Sequence, residues 1–367
     1  VGEFKTEGLT EVIAELKTIL GDNENSKELI HLFEKTYSEQ HNLADATRYL
    51  VNALFGEYGL VTLDGNDANL KALFKEEFKK DIFGLIPFNE VNQTIHELKK
   101  HYSAQVTPRE INVFYKGKGI RERIEKKGER FAVLNSEINF SKGELEELIE
   151  NNPEKLSPNV VLRPLYQQKI LPNVAYVGGP GELAYWLEYK NMFDAFKISM
   201  PILIPRNFVM LLDKASQIKL QKLNLNTEDL FKDGEALVKQ LIKTQHNDIN
   251  LEEAKNQLAK LYSKITETVV SIDKTLGGTA EAEKQKAING LAAIEQKINK
   301  ALKQKSESDV NQIWSLKEKL FPKNSSQERY DNFSMYYAKY GKEFIPNLMK
   351  ELNYDLEKFE YTVLKEN

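Results

Sequence analysis

Val174-Ala-Tyr-Val177 is a short apolar run that stops at Gly178-Gly179-Pro180-Gly181. Such a run, closed by a glycine-proline cluster, predicts a buried strand ending in a tight turn. Glu182 follows. Leu183, Trp186 and Leu187, with Tyr185 and Tyr189 four apart, then set the spacing of a helix continuing through Met192 and Phe196. Met200-Pro-Ile-Leu-Ile-Pro-Arg206 gives a second buried strand. Strand, glycine turn, helix and strand in that order predict a βαβ unit, with a parallel sheet and a crevice at the strand ends.

The glycine turn has two readings. It is a tight turn, or a helix N-terminus whose free backbone N–H groups receive an anion. It is neither a phosphate-binding P-loop, since no Gly-Lys-Ser/Thr follows, nor a Gly-x-Gly-x-x-Gly fingerprint. What favours a site is its surroundings: Arg163, Gln167, Gln168, Glu182, Tyr185, Trp186 and Arg206 lie close in sequence around the two predicted strand ends.

Upstream, helical spacing predicts helices over 8–20, from about Ser26, where Ser26 is the expected cap, and over about 43–55. Isolated His31 and His41 read as surface or capping residues. Gly59-Leu-Val-Thr-Leu-Asp64 predicts a strand, placing Asp64 at a strand end where it lines a crevice or simply makes a turn with Asn66. Between 104 and 134 four short runs separated by Pro108, Gly117, Gly119 and Gly128 predict an antiparallel meander. Ala104-Gln-Val106 is the first of these runs. Arg109 reads either as a bidentate anion ligand or as the partner of Glu110. Arg121 and Arg123, alternating with Glu122 and Glu125, read as a solvated strand face. Ser141 and Glu144 have capping-box spacing. Phe208–Leu212 is expected to run into a helix. From Leu225 the pattern is almost wholly helical. Two heptad-like stretches around Gly277-Gly278 predict an antiparallel coiled-coil hairpin roughly 40 Å long. An aromatic stripe from Phe333 to Leu348 predicts helices packing on the core.

The 367 residues carry a net charge of −4, which gives no basic field for nucleic acid. The absence of cysteine excludes disulfides, zinc thiolate sites and a cysteine nucleophile, and is compatible with a reducing cytoplasm. No apolar run approaches the roughly 20 residues needed to cross a bilayer. No metal site is expected.

The runs Leu162-Arg-Pro-Leu-Tyr-Gln-Gln168, Leu171-Pro-Asn-Val-Ala-Tyr-Val-Gly-Gly-Pro-Gly-Glu-Leu-Ala-Tyr-Trp186 and Met200-Pro-Ile-Leu-Ile-Pro-Arg206 resemble the signature of the cysteine-adding enzyme of bacillithiol biosynthesis. Ala53–Asp64, Pro108–Tyr115, Leu320-Phe-Pro322 and Gln327-Glu-Arg329 extend the resemblance over most of the chain. It implies an α/β fold: a partial Rossmann-like core, an inserted small antiparallel β segment and a long helical coiled-coil hairpin. The expected division is 1–100 for helices and part of the core and 101–150 for the insertion. The rest of the core would occupy 151–225, the hairpin 226–320, and C-terminal helices packing back on the core 321–367. The family's proteins are longer, and the chain, starting at Val1, is expected to lack their N-terminal part.

The resemblance implies addition of cysteine to glucosaminyl-malate and favours Asp64 as a catalytic candidate. The chemistry of that step points to ATP or ADP as the nucleotide, Glu182 as the second catalytic candidate and Arg109, Arg163, Gln167, Tyr185 and Trp186 as substrate contacts. The narrow seam of the hairpin predicts a homodimer through the coiled coil. Gly178, Gly179, Gly181 and Arg206 are the expected phosphate contacts. The alternative is a non-catalytic nucleotide-binding or coiled-coil dimerisation module.

Overall fold

The computed structural model describes residues 2–246, 251–352 and 361–366. They form two compact units. One holds the described residues up to 207 and those from 333 to 352; the other holds those from 208 to 332 and from 361 to 366.

The first unit begins with helices Leu9–Leu20, Glu24–Glu39 and Leu43–Phe55. Gly21, at φ 75°, ends the first. The cap of the second is Asn23, whose side chain receives the Ser26 N–H, so the cap falls three residues before the one expected. Leu29, Ile30 and Phe33 pack with Tyr337 of helix Phe333–Tyr340, so the aromatic stripe does form core. Both His31 and His41 are exposed.

Gly59–Asp64 is not a strand: it makes no ladder, and Leu60, Val61 and Leu63 remain 47%, 70% and 41% exposed. Apolar alternation makes a strand only where a neighbouring strand supplies hydrogen-bond partners. Short helices Ala68–Ala72 and Lys75–Ile82 and the longer Ile86–Leu98 follow.

The meander is a five-stranded antiparallel sheet. Its strands are β1 (Val113–Gly117), β2 (Ile120–Lys127), β3 (Arg130–Val133), β4 (Asn139–Phe140) and β5 (Leu156–Pro158), in the order β4-β3-β2-β1-β5. Gly119 and Gly128 take positive φ in its tight turns. Ala104–Val106 stays outside the sheet because the Glu188 carboxylate accepts the Gln105 and Val106 N–H groups, at 2.6 and 3.2 Å. Ser141 and Glu144 do form a capping box on helix Lys142–Asn151.

The βαβ unit forms, but its strands are not the buried ones expected: Val174, Val177 and Ile202 are 83%, 60% and 66% exposed. Strand β6 (Ala175–Gly178) pairs in parallel with β7 (Ile202–Pro205), from Ala175↔Ile202 to Gly178↔Pro205. Helices Pro180–Trp186 and Lys190–Phe196 cross between them. One apolar cluster, including Phe74, Phe78, Ile124, Leu145, Leu156, Trp186 and Phe193, ties the antiparallel sheet, the preceding helices and the crossover together.

In the second unit Phe208–Leu212 is a strand, β8, and not the start of a helix. It pairs in parallel with β9 (Tyr361–Lys365), where helices were expected. The Gln327 and Glu328 side chains accept the Leu211 and Val209 N–H groups, at 2.8 and 3.0 Å, so one edge of β8 is sealed by side chains instead of a third strand. The expectation for 353–360 lies outside the described residues. The hairpin pairs helix Glu252–Ile272 with Gly277–Lys305. Lys255 and Glu295 bridge them at 2.7 Å. No helix among the described residues is long and apolar enough to cross a membrane.

The turn after β6 tests how tightly this frame is set. A Cβ on Gly178 would lie 2.8 Å from the Tyr176 ring and 2.9 Å from Leu183, whereas one on Gly181 meets nothing within 4 Å. Gly178→Ala is therefore expected to cost about 1–3 kcal/mol. Gly181→Ala should leave stability unchanged or raise it by up to about 1 kcal/mol. Denaturant unfolding of the two variants checks the contrast.

Candidate functional site

The glycine turn brings two of the expected residues together. Glu182 accepts the Gly179 N–H at 2.8 Å, a one-way cap on its own helix, since Gly179 has no side chain to return the bond. A Cβ at Gly179 would stand 3.2 Å from Arg206 Nε and 3.5 Å from Glu182 Oε2, so guanidinium and carboxylate converge over this glycine. Gly178 and Gly179 are buried; Gly181 and Glu182 are exposed. The Tyr176 and Tyr185 hydroxyls are both raised above the usual phenol range, first by burial. Glu182 adds to each shift and Arg163 opposes each, so Arg163 and Glu182 act on the same two tyrosines.

Trp186 is no substrate wall. It is 2% exposed, stacked at 4.1 Å on Tyr176 and at 5.9 Å on Phe193, and both its faces are spent in the core. Gln167 is half-buried on helix Arg163–Ile170. Asp64 makes an Asx turn, its carboxylate receiving the Asn66 N–H at 2.9 Å, and its charge still reaches Lys71 and Tyr166.

Arg163 and Arg109 meet elsewhere, in a cavity of about 530 Å³. Arg121 and Arg123 complete its charged lining, with Phe114 and Asn159 beside them. These two arginines were expected on a solvated strand face; they are exposed, but they face the other two. Alternation along β2 was their only sequence signal, and it cannot say what stands opposite. Arg121 lies 4.0 Å over the Phe114 ring and donates to Ser157 Oγ at 3.2 and 3.3 Å. Burial and the neighbouring Arg163 both lower its hold on a proton. Among the described residues, none of the four guanidinium groups is in a salt bridge, and no carboxylate lines the cavity.

A buried polar network lies below. Asp81, 0% exposed, accepts the Asn112 backbone N–H at 2.7 Å and its Nδ2 at 3.0 Å. Asn112 Nδ2 also donates to the Arg109 carbonyl at 2.7 Å, and Asn112 Oδ1 accepts from Arg109 N at 3.1 Å and Asn159 Nδ2 at 3.0 Å. Asn159 Oδ1 in turn receives the Val161 and Leu162 N–H groups, just ahead of Arg163. Lys71, 2% exposed, donates to the Leu156 carbonyl at 2.8 Å and sits 4.8 Å over the Tyr166 ring. Burial, and then the charges of Lys116, Arg163 and Arg121, push its amine down to about 7.

Residues 1–207 match the family model described as "Bacillithiol biosynthesis BshC, N-terminal Rossmann-like domain", and 209–366 match its "C-terminal coiled-coil domain". The chain belongs to the BshC family. The break between the two BshC models coincides with the chain's first passage between the compact units at 207–208, although the described residues 333–352 match the coiled-coil model and pack in the first unit. Over 353 residues the chain is 41% identical to the protein of Flavobacterium johnsoniae named "Putative cysteine ligase BshC", covering 96% of this chain and 66% of that one. The proteins of the same name from Flavobacterium psychrophilum and Bacillus cytotoxicus are 40% and 28% identical, over 96% and 95% of this chain and 66% of each relative. The chain thus spans just under two thirds of the length of these BshC relatives. Both the glycine turn and the arginine cavity fall within the part matched by the Rossmann-like model.

Two buried groups beneath the BshC cavity titrate far from their ordinary ranges and give a pH signature. Burial pushes the Asp81 carboxyl up from 3.8 to about 7, against the two Asn112 bonds that hold it down. The folded chain therefore binds this proton more tightly than the unfolded chain, and that stability is lost as pH rises from about 4 through about 7. Lys71 is depressed from 10.5 to about 7, so its contribution is full above about 10.5 and is lost as pH falls through about 7. Stability should dip near neutrality. Asp81→Asn should flatten the acid limb and Lys71→Met the alkaline limb, as read from urea midpoints between pH 4 and 10.

Proposed function

We propose that this chain serves the step of bacillithiol biosynthesis in which cysteine is joined to glucosaminyl-malate, and that the arginine cavity holds the malate carboxylates. The observation that carries this reading is the set of four guanidinium groups around one cavity with no carboxylate beside them. Arginine's planar fork matches carboxylate geometry, and four such groups left unopposed repel one another until an anion enters. BshC membership supplies the reaction class; the cavity supplies a place for its acidic substrate.

Amide formation needs an amine and an activated carboxyl. In this reading Glu182, exposed beside Tyr185, orients the glucosamine amine. Arg206 would hold the phosphates of a bound ATP, which would supply the activation: the cysteine carboxylate would take the terminal phosphoryl group with release of ADP, and the amine would then displace phosphate. Glu182 must then swing off the Gly179 N–H, because its carboxylate occupies the position a phosphate would take. We place the enzyme in the cytoplasm, in keeping with a cysteine-free chain.

A second copy is the proposed partner of the hairpin. Its helices leave Leu261, Ile265, Ile272 and Ile294 exposed, more apolar surface than a solvated arm requires. Sedimentation equilibrium should give a dimer, and Leu261→Glu with Ile294→Glu should shift it to monomer.

In the full-length protein, Arg163→Ala and Arg121→Ala should each raise the KM for glucosaminyl-malate about 10- to 100-fold, as expected for losing about 1.5–3 kcal/mol of charge-assisted hydrogen bonding. Unchanged substrate binding and turnover in both variants would remove the carboxylate role. Absence of turnover by the unmutated full-length protein with cysteine, glucosaminyl-malate and ATP would favour the alternative of a binding module.

A further inference from the structure

We infer that Asn112, braced by Asp81, is the positioning residue of the arginine cavity: it fixes Arg109 and Arg163 relative to each other although it touches neither guanidinium. This rests on the reading of the cavity as an anion site.

The two arginines come from segments about fifty residues apart in sequence, and among the described residues neither side chain has an ion pair to hold it. Arg109 precedes β1 in a stretch with no ladder bonds of its own. Arg163 opens a helix with no side-chain cap at Leu162. What fixes both is one amide. Through Nδ2 and Oδ1, Asn112 holds the Arg109 carbonyl and N–H at 2.7 and 3.1 Å, a clamp on that residue's backbone. The same Oδ1 holds Asn159 Nδ2 at 3.0 Å, and the Asn112 carbonyl accepts the Asn159 N–H at 2.9 Å. Asn159 then sets the first turn before Arg163: its Oδ1 takes the N–H groups of Val161 and Leu162, and its carbonyl takes that of Arg163.

Asp81 fixes which way the Asn112 amide faces. Both Asp81 oxygens accept from Asn112, one from its backbone N–H and the other from Nδ2, so the Nδ2 end points to Asp81 and the Oδ1 end toward Arg109 and Asn159. Asn112 is 1% exposed and Asp81 0%, so water does not replace a lost partner, and the geometry is held or lost as a whole.

The test separates positioning from bulk stability in three variants of the full-length protein. Asn112→Ala removes the clamp. Leu145→Ala, in the same apolar cluster but outside the network, is the stability control. The exchanged pair Asp81→Asn with Asn112→Asp keeps the contacts to Arg109 N, Asn159 Nδ2 and the residue-112 N–H and reverses the 81–112 bond, but it loses the donation to the Arg109 carbonyl. Amide hydrogen exchange is read across 107–114 and 156–163, and malate and pyrophosphate binding by calorimetry.

The expected result for Asn112→Ala is joint loss of protection in both segments, with protection in β2 and β3 retained, and anion affinity at least tenfold weaker. Leu145→Ala should keep the wild-type affinity, and the exchanged pair should recover part of it. Wild-type binding left unchanged by Asn112→Ala, or exchange rising in only one segment, overturns the positioning role alone. A wild-type protein that binds neither anion overturns the cavity's reading and the inference with it.

Discussion

A buried carboxyl whose two oxygens both accept from Asn112 sets the orientation of the residues around the cavity. Asp81 sits at the C-terminal end of helix Lys75–Ile82, out of reach of solvent, and both its oxygens are filled by the one residue Asn112. Ionised groups at such depth are costly unless fully bonded. The chain tolerates this one where six hydrogen bonds link Asn112 to Asp81, Arg109 and Asn159. An apolar pair of equal volume would pack as well but would leave the loop before β1 and the approach to Arg163 untethered.

This arrangement explains why the cavity lies where it does. The antiparallel sheet precedes the βαβ unit in the chain, and β5, which leads the chain to helix Arg163–Ile170, pairs with β1 of that sheet. Arg121 and Arg123 arrive on β2 and Arg109 just before β1, while Arg163 arrives on the helix. Sheet and helix therefore share one set of cationic side chains, and neither could form the cavity alone.

What the sequence made legible follows from the range of the forces involved. The βαβ unit and the hairpin were readable because their signals are local: a glycine turn closing an apolar run, and apolar steps of three and four. Gly59–Asp64 and Ala104–Val106 have the right residues for strands but no neighbouring strand, a fact that no window of sequence contains. Phe208–Leu212 failed in the opposite sense, since its partner β9 lies some 150 residues away. At the site, Arg109 and Arg163 were visible as arginines beside prolines near predicted strand ends. Arg121 and Arg123 were dismissed because their charges alternate with Glu122 and Glu125, and only the sheet register shows that Arg123 stands opposite Phe114. Asp81 and Asn112 carried no signal, because a polar residue on an amphipathic helix and one at a strand start are ordinary until both prove to be buried.

The positive charge around the cavity also bears on how strongly an anion is held there. Lys71 sits behind it, and the charges of Lys116, Arg163 and Arg121 all disfavour its protonation. An anion entering the cavity would offset those same charges, so the Lys71 amine would regain affinity for its proton as the ligand binds. Proton uptake coupled to anion binding follows from Coulomb's law and linkage whatever the identity of the anion. It would be largest near neutral pH, where the amine is half charged in the empty protein. A cavity whose cations were each paired to a carboxylate would show no such coupling, because the local field would already be balanced. Leaving the guanidinium groups unopposed costs stability in the empty state, and it is also what makes the cavity's affinity respond to charge more than to shape.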